Sequence, residues 1–326
     1  MATPILHDLH RRWPEASLTA MCLSSAASLL ENNPYLTEIY GFKKPSGWIH
    51  RAHPLDIIEN LQHGEYDLGV LLTNSFSSAW WFWRGRVAHR IGFRANFRSP
   101  LLNSAVPFPE NKERQHLVLT YKALLAPLGI PLSDTAPELF VTPQEKEAAR
   151  TLLTSLKIPR DHEIIGINPG AAYGSAKCWI PERFAAVAEQ LVQNRKRTVL
   201  FFGDQAGASL IQKICSELDT KGLGSQVINL AGKTSLRMLM ALFLHCSAIL
   251  TNDSGPMHIA SALKIPLVAL FGSTSPIKTG PYNGGTVICK QVECSPCYKR
   301  VCPIDFRCMT RIETDEVVQA IEKLLQ

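Results

Sequence analysis

Residues 250–276, LTNDSGPMHIASALKIPLVALFGSTSP, predict an α/β fold. The apolar run Ser247–Leu250 is suited to a buried parallel strand, because such strands are covered on both faces. Asn252–Gly255 are turn and N-cap residue types, and Pro256 suits the first position of a helix. Leu267–Phe271 read as the next buried strand. Strand, turn, helix and strand in so short a stretch are typical of a parallel sheet with crossover helices.

The turn at 252–255 is a predicted anion-binding position. Turns at the carboxyl ends of parallel strands present free N–H groups, and the following helix contributes about half a positive charge. Asp253 is acidic, so we expect it to cap the helix or to accept a hydrogen bond from a sugar hydroxyl. His258 lies in the first helical turn, and its ring is a hydrogen-bond donor directed at the same anion-binding position. The alternative is that Asp253 and Ser254 are ordinary caps and His258 is a surface histidine.

Two further segments support the same fold. NPGAAYGSAKCW, residues 168–179, is a glycine-bearing loop with a lysine at its end, and LTNSFSSA at 72–79 is followed by RIGF at 90–93. The stretch quoted at the start, 250–276, resembles the pattern [TS]-[ND]-[DT]-[ST]-G-x-x-H-x-A-[AS]-A-L of glycosyltransferase family 9, the ADP-heptose lipopolysaccharide heptosyltransferases. Residues 168–179 resemble the family's P-G-A-x-x-G-x-A-K-x-W loop. The third segment is similar to members that add the second heptose.

The resemblance implies a GT-B arrangement of two facing doubly wound, Rossmann-like α/β domains, with the active site in the cleft between them. We place an acceptor-binding domain at 1–142 and a nucleotide-sugar-binding domain at 143–326. The implied reaction is a single inverting displacement that moves heptose from ADP-L-glycero-D-manno-heptose to the heptosyl-Kdo inner core of lipopolysaccharide. The alternatives are a family member with another sugar or acceptor, or an inactive paralogue that binds nucleotide sugar. No cofactor and no catalytic metal are implied.

Lys177 is the candidate catalytic residue. A lysine in a glycine-bearing loop after a strand adds a mobile positive charge to amides that face phosphate. By resemblance it binds the donor diphosphate and stabilises the departing ADP, whose charge grows in the transition state. The further donor-binding candidates by resemblance are Gly170, Ala172, Thr234, Asp253, Ser254, Gly255 and His258. A family glutamate has no clear equivalent at 204–208.

Composition sets the remaining limits. The 326 residues suffice for two domains, and 19% charged with 46% hydrophobic residues is a globular balance. The net charge of +6 favours anionic partners weakly, and no nucleic-acid partner is expected. No apolar run of membrane-spanning length, Walker sequence or dinucleotide fingerprint occurs, and the first residues do not follow the charged-then-apolar pattern of a signal peptide, so none is expected. Nine cysteines without an export signal predict reduced thiols and a cytoplasmic enzyme, with peripheral contact to the inner membrane as an extension.

The start of the chain lacks an expected element. It opens with a helix, for which Thr3 and Pro4 are the predicted N-cap and first residue, and continues with a strand at 17–22. A doubly wound domain opens with a central strand and a glycine turn. Without that strand, backbone N–H and C=O groups of its neighbours lose their partners, which costs about 1–3 kcal/mol of stability for each group. By resemblance, that turn carries the aspartate thought to be the general base. We expect a start codon placed too late and a base upstream of Met1; the alternative is the inactive paralogue. Asp8 is predicted to be a solvated helix-surface residue.

Two clusters of side chains leave alternatives open. An acid-free arginine run is either a solvated face or a contact for a phosphorylated, carboxylate-rich lipid acceptor or anionic headgroups. Its members are Arg84, Arg86, Arg90, Arg94 and Arg98. The second cluster predicts a structural zinc site, free thiols or a labile disulfide, and these stay open because its spacing is not that of a standard finger. It consists of Cys294, Cys297, Cys302 and Cys308.

Overall fold

A computed structural model describes residues 1–45, 54–193 and 195–326 and divides the chain into two compact units, Met1–Pro137 and Glu138–Gln326. The observed boundary lies slightly before the predicted one at 142. The segment after Pro137 belongs to the second unit, because the Phe140 carbonyl accepts a 2.8 Å hydrogen bond from Arg237 Nη2. None of the described helices is both long and apolar enough to cross a bilayer.

The first unit alternates helices with short parallel strands. Its described helices are α1 (Thr3–Arg12), α2 (Ser24–Ala27), α3 (Leu55–His63), α4 (Phe76–Arg84) and α5 (Leu117–Lys122), with 3-10 turns at Ser28–Leu30, Ser99–Leu101 and Ala123–Leu128. Its strands are β1 (Thr19–Leu23), β2 (Glu38–Phe42), β3 (Leu68–Leu71), β4 (His89–Phe93) and β5 (Ser104–Val106). The N-cap of α1 is Ala2, with no side-chain cap, so the prediction that Thr3 caps this helix was wrong.

The strands of the first unit form two separate parallel sheets. One contains β1 and β2, and the other has the order β3-β4-β5. Within the described ranges no strand pairs with the second edge of β1 or of β3. A groove of about 1640 Å³ has α1, β1 and β3 on its walls, including the apolar side chains of Leu9, Met21 and Val70. The gap expected from the sequence is therefore present as an apolar groove.

Asp8 is not the solvated residue that the sequence predicted. Its side chain is buried, and its carboxylate accepts hydrogen bonds from Ser133 Oγ at 2.8 Å and Thr135 Oγ1 at 3.1 Å. Lys122 Nζ donates to the carbonyls of the same two residues. The partners lie more than a hundred residues along the chain, so helical periodicity gave no sign of them. Both carboxylate oxygens are thus engaged inside the unit.

The second unit alternates longer helices with strands. The described helices are α6 (Pro143–Ser155), α7 (Pro181–Val192), α8 (Ala208–Thr220), α9 (Leu236–Phe243), α10 (Gly255–Ala262), α11 (Pro276–Thr279), α12 (Arg307–Thr310) and α13 (Thr314–Leu324), with a 3-10 turn at Ser175–Lys177. The strands are β6 (Glu163–Asn168), β7 (Arg197–Phe201), β8 (Val227–Asn229), β9 (Ala248–Asn252), β10 (Leu267–Phe271) and β11 (Thr286–Cys289).

One continuous parallel sheet of order β11-β10-β9-β6-β7-β8 organises this unit. Every residue of β7, β9 and β10 is buried, as in strands covered by helices on both faces. The α/β fold with parallel, Rossmann-like sheets is confirmed. The strand order reverses direction between β6 and β9, which pair with Asn168 opposite Thr251. Ligands of open α/β sheets bind beyond the carboxyl ends of strands at such a reversal.

Candidate functional site

The loops that follow β6 and β9 meet at this reversal point. Asn252 is fully buried at the end of β9, where its Oδ1 accepts from the Trp179 amide at 3.1 Å. Its Nδ2 donates to the Pro169 carbonyl at 2.7 Å. One side chain therefore holds both ends of the loop 169–179 against β9. The sequence gave Asn252 only as a turn residue, because its partners lie more than seventy positions away.

Lys177 and Asp253 form an ion pair in the centre of the site. Lys177 Nζ lies 2.5 Å from Asp253 Oδ2, and their side chains are only 13% and 3% exposed. Thr274, just beyond β10, donates its hydroxyl to the same carboxylate oxygen at 2.6 Å. The ends of three adjacent strands, β6, β9 and β10, thus contribute to one polar cluster. The pair fixes the position of the ammonium group and leaves the cluster without net charge.

The predicted caps of α10 are not formed. Ser254 occupies the N-cap position but accepts no hydrogen bond there, and its hydroxyl instead lies 3.0 Å from that of Thr251. Asp253 is engaged with Lys177 and Thr274, so the cap, the first of its two predicted roles, is not formed, and acceptance of a hydrogen bond from a sugar hydroxyl stays a prediction. Local sequence favoured the cap because Asp and Ser satisfy helix amides. A basic partner 76 residues away competes successfully for the carboxylate.

Gly255 and His258 occupy the first turn of α10. A Cβ atom at Gly255 would meet no atom within 4 Å, so the space beside this residue is open. His258 is half-buried. Contact of both residues with a ligand stays a prediction.

The loop 169–179 is open on one side and closely packed on the other. No atom lies within 4 Å of where a Gly170 side chain would stand, and Ala172 is exposed. Gly174 has φ +152°, and a side chain there would approach the Arg300 carbonyl oxygen to 2.3 Å. Glycine is required at 174 because another backbone passes directly over it.

Thr234 lies at a different part of the sheet. It is half-buried between β8 and α9, where the adjacent Ser235 caps α9 by accepting from the Met238 amide. β8 is separated from β6 by β7. No contact found in the described residues joins Thr234 to the Lys177–Asp253 pair, so its predicted donor contact stays a prediction.

The cysteine-bearing loop 290–306 packs against the loop 169–179. The Arg300 carbonyl accepts from the Ala176 amide at 3.0 Å, and the Tyr298 amide donates to the Ser273 carbonyl at 2.7 Å. Tyr173 donates its hydroxyl to the Tyr298 carbonyl at 2.7 Å. Ser273 Oγ is buried and has no hydrogen-bond partner among the described residues. This loop therefore forms part of the wall of the site, which the sequence did not indicate.

The four clustered cysteines are reduced thiols in the structure. Burial raises the pKa of Cys308, and the neighbouring thiols of Cys294, Cys302 and Cys297 raise it further. Within the described ranges no three or more His, Cys, Asp or Glu side chains are arranged to hold a metal ion. The geometry gives the zinc alternative no support.

Two arginines of the run predicted to contact the acceptor form hydrogen bonds within the first unit instead. Arg98 is fully buried and donates to the carbonyls of Phe93 and Thr73 and to Asn74 Oδ1. Arg90 donates to the carbonyls of Leu101 at 2.8 Å and Val87 at 2.5 Å. Burial lowers the pKa of both guanidinium groups.

The prediction of acceptor contact was therefore wrong for Arg98, whose donors are used inside the unit. It stays open for the run's exposed members. These are Arg84, Arg86 and Arg94.

Comparison with known proteins gives a consistent family. Residues 55–306 match the sequence profile of glycosyltransferase family 9 (heptosyltransferase). The chain is 31% identical to lipopolysaccharide heptosyltransferase 2 of Salmonella typhimurium, over 87% of this chain and 82% of that protein. It is 32% identical to lipopolysaccharide heptosyltransferase 2 of Escherichia coli K12, again over 87% and 82%.

Solved structures agree with the sequence comparison. E. coli ADP-heptose lipopolysaccharide heptosyltransferase II superposes with a TM-score of 0.82 at 28% identity, covering 99% of this chain and 94% of that chain. A family 9 glycosyltransferase from Veillonella parvula gives a TM-score of 0.85 at 23% identity, covering 99% and 92%. Because the identity to the Veillonella parvula protein is only 23%, its similarity supports the fold alone.

Proposed function

The chain belongs to glycosyltransferase family 9, the heptosyltransferases, and we propose that it moves heptose from ADP-L-glycero-D-manno-heptose to the heptosyl-Kdo inner core of lipopolysaccharide. Relatives named for the second heptose transfer support this choice of acceptor. The observation that carries the proposal is the Lys177–Asp253 pair, because it holds the family's motif lysine at the strand-order reversal of the second unit.

The donor diphosphate binds at the loop 169–179 and the N-terminus of α10. Departing ADP gains negative charge as the sugar–phosphate bond breaks, so a fixed cation at that place lowers the barrier. Lys177 is already held by Asp253, so little reorganisation is needed when the charge develops. Open space at Gly170 and Gly255 lets phosphate oxygens approach the backbone amides.

The acceptor hydroxyl attacks the anomeric carbon from the side opposite to ADP, which inverts that centre. A carboxylate must take the hydroxyl proton as the new bond forms. Asp8 does not suit this role, since Ser133 and Thr135 occupy both of its oxygens. We keep the hypothesis that the base lies in a segment preceding Met1. The apolar groove bounded by β1 and β3 offers room for such a segment.

The first unit is proposed to bind the lipopolysaccharide acceptor. Exposed Arg84, Arg86 and Arg94 supply donors for its phosphate and carboxylate groups. Such a lipid acceptor places the enzyme in the cytoplasm, in peripheral contact with the inner membrane. This part of the proposal rests on the chemistry of the acceptor.

A transfer assay tests the proposed function. The chain, together with any in-frame upstream residues of its gene, is incubated with ADP-heptose and a core acceptor that carries either one heptose or none. We expect a product one heptose heavier, formed mainly from the acceptor that already carries one. Nucleotide binding without turnover on either acceptor would favour the inactive paralogue. Transfer of another sugar would point to a different family member.

Substitution of Lys177 tests the site itself. Lys177→Ala should lower turnover about a hundredfold or more, the usual loss for a donor to a developing anion. The variant also leaves Asp253 buried without its counter-ion, which alone is destabilising. The double variant Lys177→Ala/Asp253→Asn removes that charge and should regain stability while remaining slow. Lys213→Ala on exposed α8 is the matched control and should keep full activity. Unchanged kinetics in Lys177→Ala would remove its role.

A further inference from the structure

The Lys177–Asp253 pair does not by itself supply the positive charge that a diphosphate site needs. Lys177 is neutralised by Asp253 at 2.5 Å, and Thr274 adds a neutral donor to the same oxygen. The pair as a whole therefore has no net charge with which to attract an anion. A nucleoside diphosphate carries at least two negative charges near neutral pH. Its binding at this place is strengthened by a further cation whose charge is not already compensated.

Arg300 is such a cation. Its side chain is exposed, and no carboxylate within the described ranges lies within ion-pair distance of it. Its guanidinium carbon stands 5.4 Å from the centroid of the Tyr173 ring. Lys177 Nζ stands 4.8 Å from the same centroid. One aromatic ring therefore holds two cations, only one of which has a carboxylate partner.

The backbone around Arg300 is fixed to the site. Its carbonyl accepts from the Ala176 amide at 3.0 Å, and the absence of a side chain at Gly174 permits this approach. Tyr173 donates to the Tyr298 carbonyl at 2.7 Å, which ties its ring to the same loop. The side chain of Arg300 thus starts from an anchored position beside Lys177. Its contact with the ring is a cation–π interaction, which is weak at an exposed site, so an anion can displace it.

We propose that Arg300 binds the diphosphate of the nucleotide sugar, as a second cation beside Lys177, with Tyr173 holding its guanidinium in place when the site is empty. The inference rests on the proposed function of this site. A guanidinium presents two parallel N–H donors to phosphate oxygens, and a lysine cannot reproduce that geometry. Lys177 then supplies the fixed charge at the diphosphate, and Arg300 supplies the net charge that attracts it.

Calorimetric titration with ADP tests the role of Arg300 on the full chain. Arg300→Ala should weaken ADP binding by about tenfold to a hundredfold, as expected for the loss of charge-assisted hydrogen bonds. The ADP affinity of Arg300→Lys should lie between that of Arg300→Ala and that of the wild type. Lys299→Ala removes an adjacent exposed cation and should change the affinity by less than about twofold. Because the alanine variant keeps the backbone carbonyl at 300, its melting temperature should match the wild type.

Salt dependence separates contact with phosphate from an indirect effect. The affinity of the wild type for ADP should fall more steeply with salt than that of Arg300→Ala, since one charged contact is missing in the variant. Equal affinity of Arg300→Ala and the wild type, or equal salt slopes, would overturn the inference while leaving the proposed function intact. Failure of the wild type to bind ADP would overturn the proposed function and this inference together.

Discussion

The sheet of the second unit is continuous, whereas that of the first is split by a groove. In the second unit β6 and β9 are each paired on both sides, so the loops that follow them are held side by side. Lys177, Asp253 and Thr274 meet there although they come from three different strand ends. In the first unit β1 and β3 each have one described partner. The comparison shows that a polar cluster of this kind depends on the strand pairing beneath it.

The strand ends of the first unit are engaged locally instead. Ser75, after β3, caps α4 by accepting from the Ser78 amide at 3.2 Å. Asn74 accepts through its carbonyl from Asn96 and through its side chain from buried Arg98. These groups hold the loops after β3 and β4 to each other. The hydrogen bonds fix the conformation of this strand end, while Thr73, Asn74 and Ser75 still line the groove.

Amide hydrogen exchange should show the largest difference between the units. Amides of β9 and β10 are bonded within a buried sheet and exchange through large-scale opening, while those at the groove edges of β1 and β3 exchange by local fluctuation. We expect exchange at least about a thousandfold slower in β9 and β10. Peptide-resolved mass spectrometry measures this ratio. Equal protection in all four strands would mean that the groove edges are not exposed in solution.

Truncation of one leucine in each unit should show the same difference between the continuous sheet and the groove. Leu250 of β9 is fully buried in the core of the second unit, so Leu250→Ala should lower the free energy of unfolding of that unit by about 2–5 kcal/mol. Leu68 of β3 is half-buried on the groove wall, so Leu68→Ala leaves no closed cavity and should cost less than about 1 kcal/mol. Urea titration with peptide-resolved exchange reports each unit separately. A larger loss for Leu68→Ala would contradict the assignment of the groove as open.

Acid should remove part of the second unit's stability. Hydrogen bonding to Arg237 lowers the pKa of Glu145 to about 2, against an ordinary value of 4.5. The stabilisation is therefore fully present above about pH 4.5 and is lost as the pH falls toward 2. The urea midpoint of the second unit should drop over this range, and Arg237→Gln should reduce that drop, because Thr142 still donates to Glu145 and Glu322 keeps its partner Arg197.

An exposed ion pair on the same helix is the control for this experiment. Arg150 and Glu147 of α6 are 70% and 60% exposed, and such pairs contribute little. Arg150→Gln should leave the pH dependence as in the wild type. A pH profile of Arg237→Gln that still follows the wild type would show that the Glu145–Arg237 pair does not stabilise the unit.

The sequence predicted the parallel strands from local patterns, whereas the loop lysine was singled out by the resemblance of residues 168–179 to the family's loop. Buried runs such as 267–271 read as strands by composition alone, and glycine-bearing turns mark their ends. It did not predict the partners. Asp253 was interpreted as a cap or an acceptor for a sugar hydroxyl, Asn252 as a turn residue and Asp8 as a solvated residue. Each is instead fixed by a contact more than seventy residues away, and only the assembled sheet brings such pairs together.

The central claim is that Lys177 contacts the donor diphosphate at the ends of β6 and β9. A crystal structure of the chain with ADP tests it most directly. We predict Lys177 Nζ within about 3 Å of a phosphate oxygen, the ordinary distance for a charge-assisted hydrogen bond, with the diphosphate facing the amides of the loop 169–179 and of α10. ADP bound with its phosphates away from Lys177 and from residues 253–258 would contradict the claim.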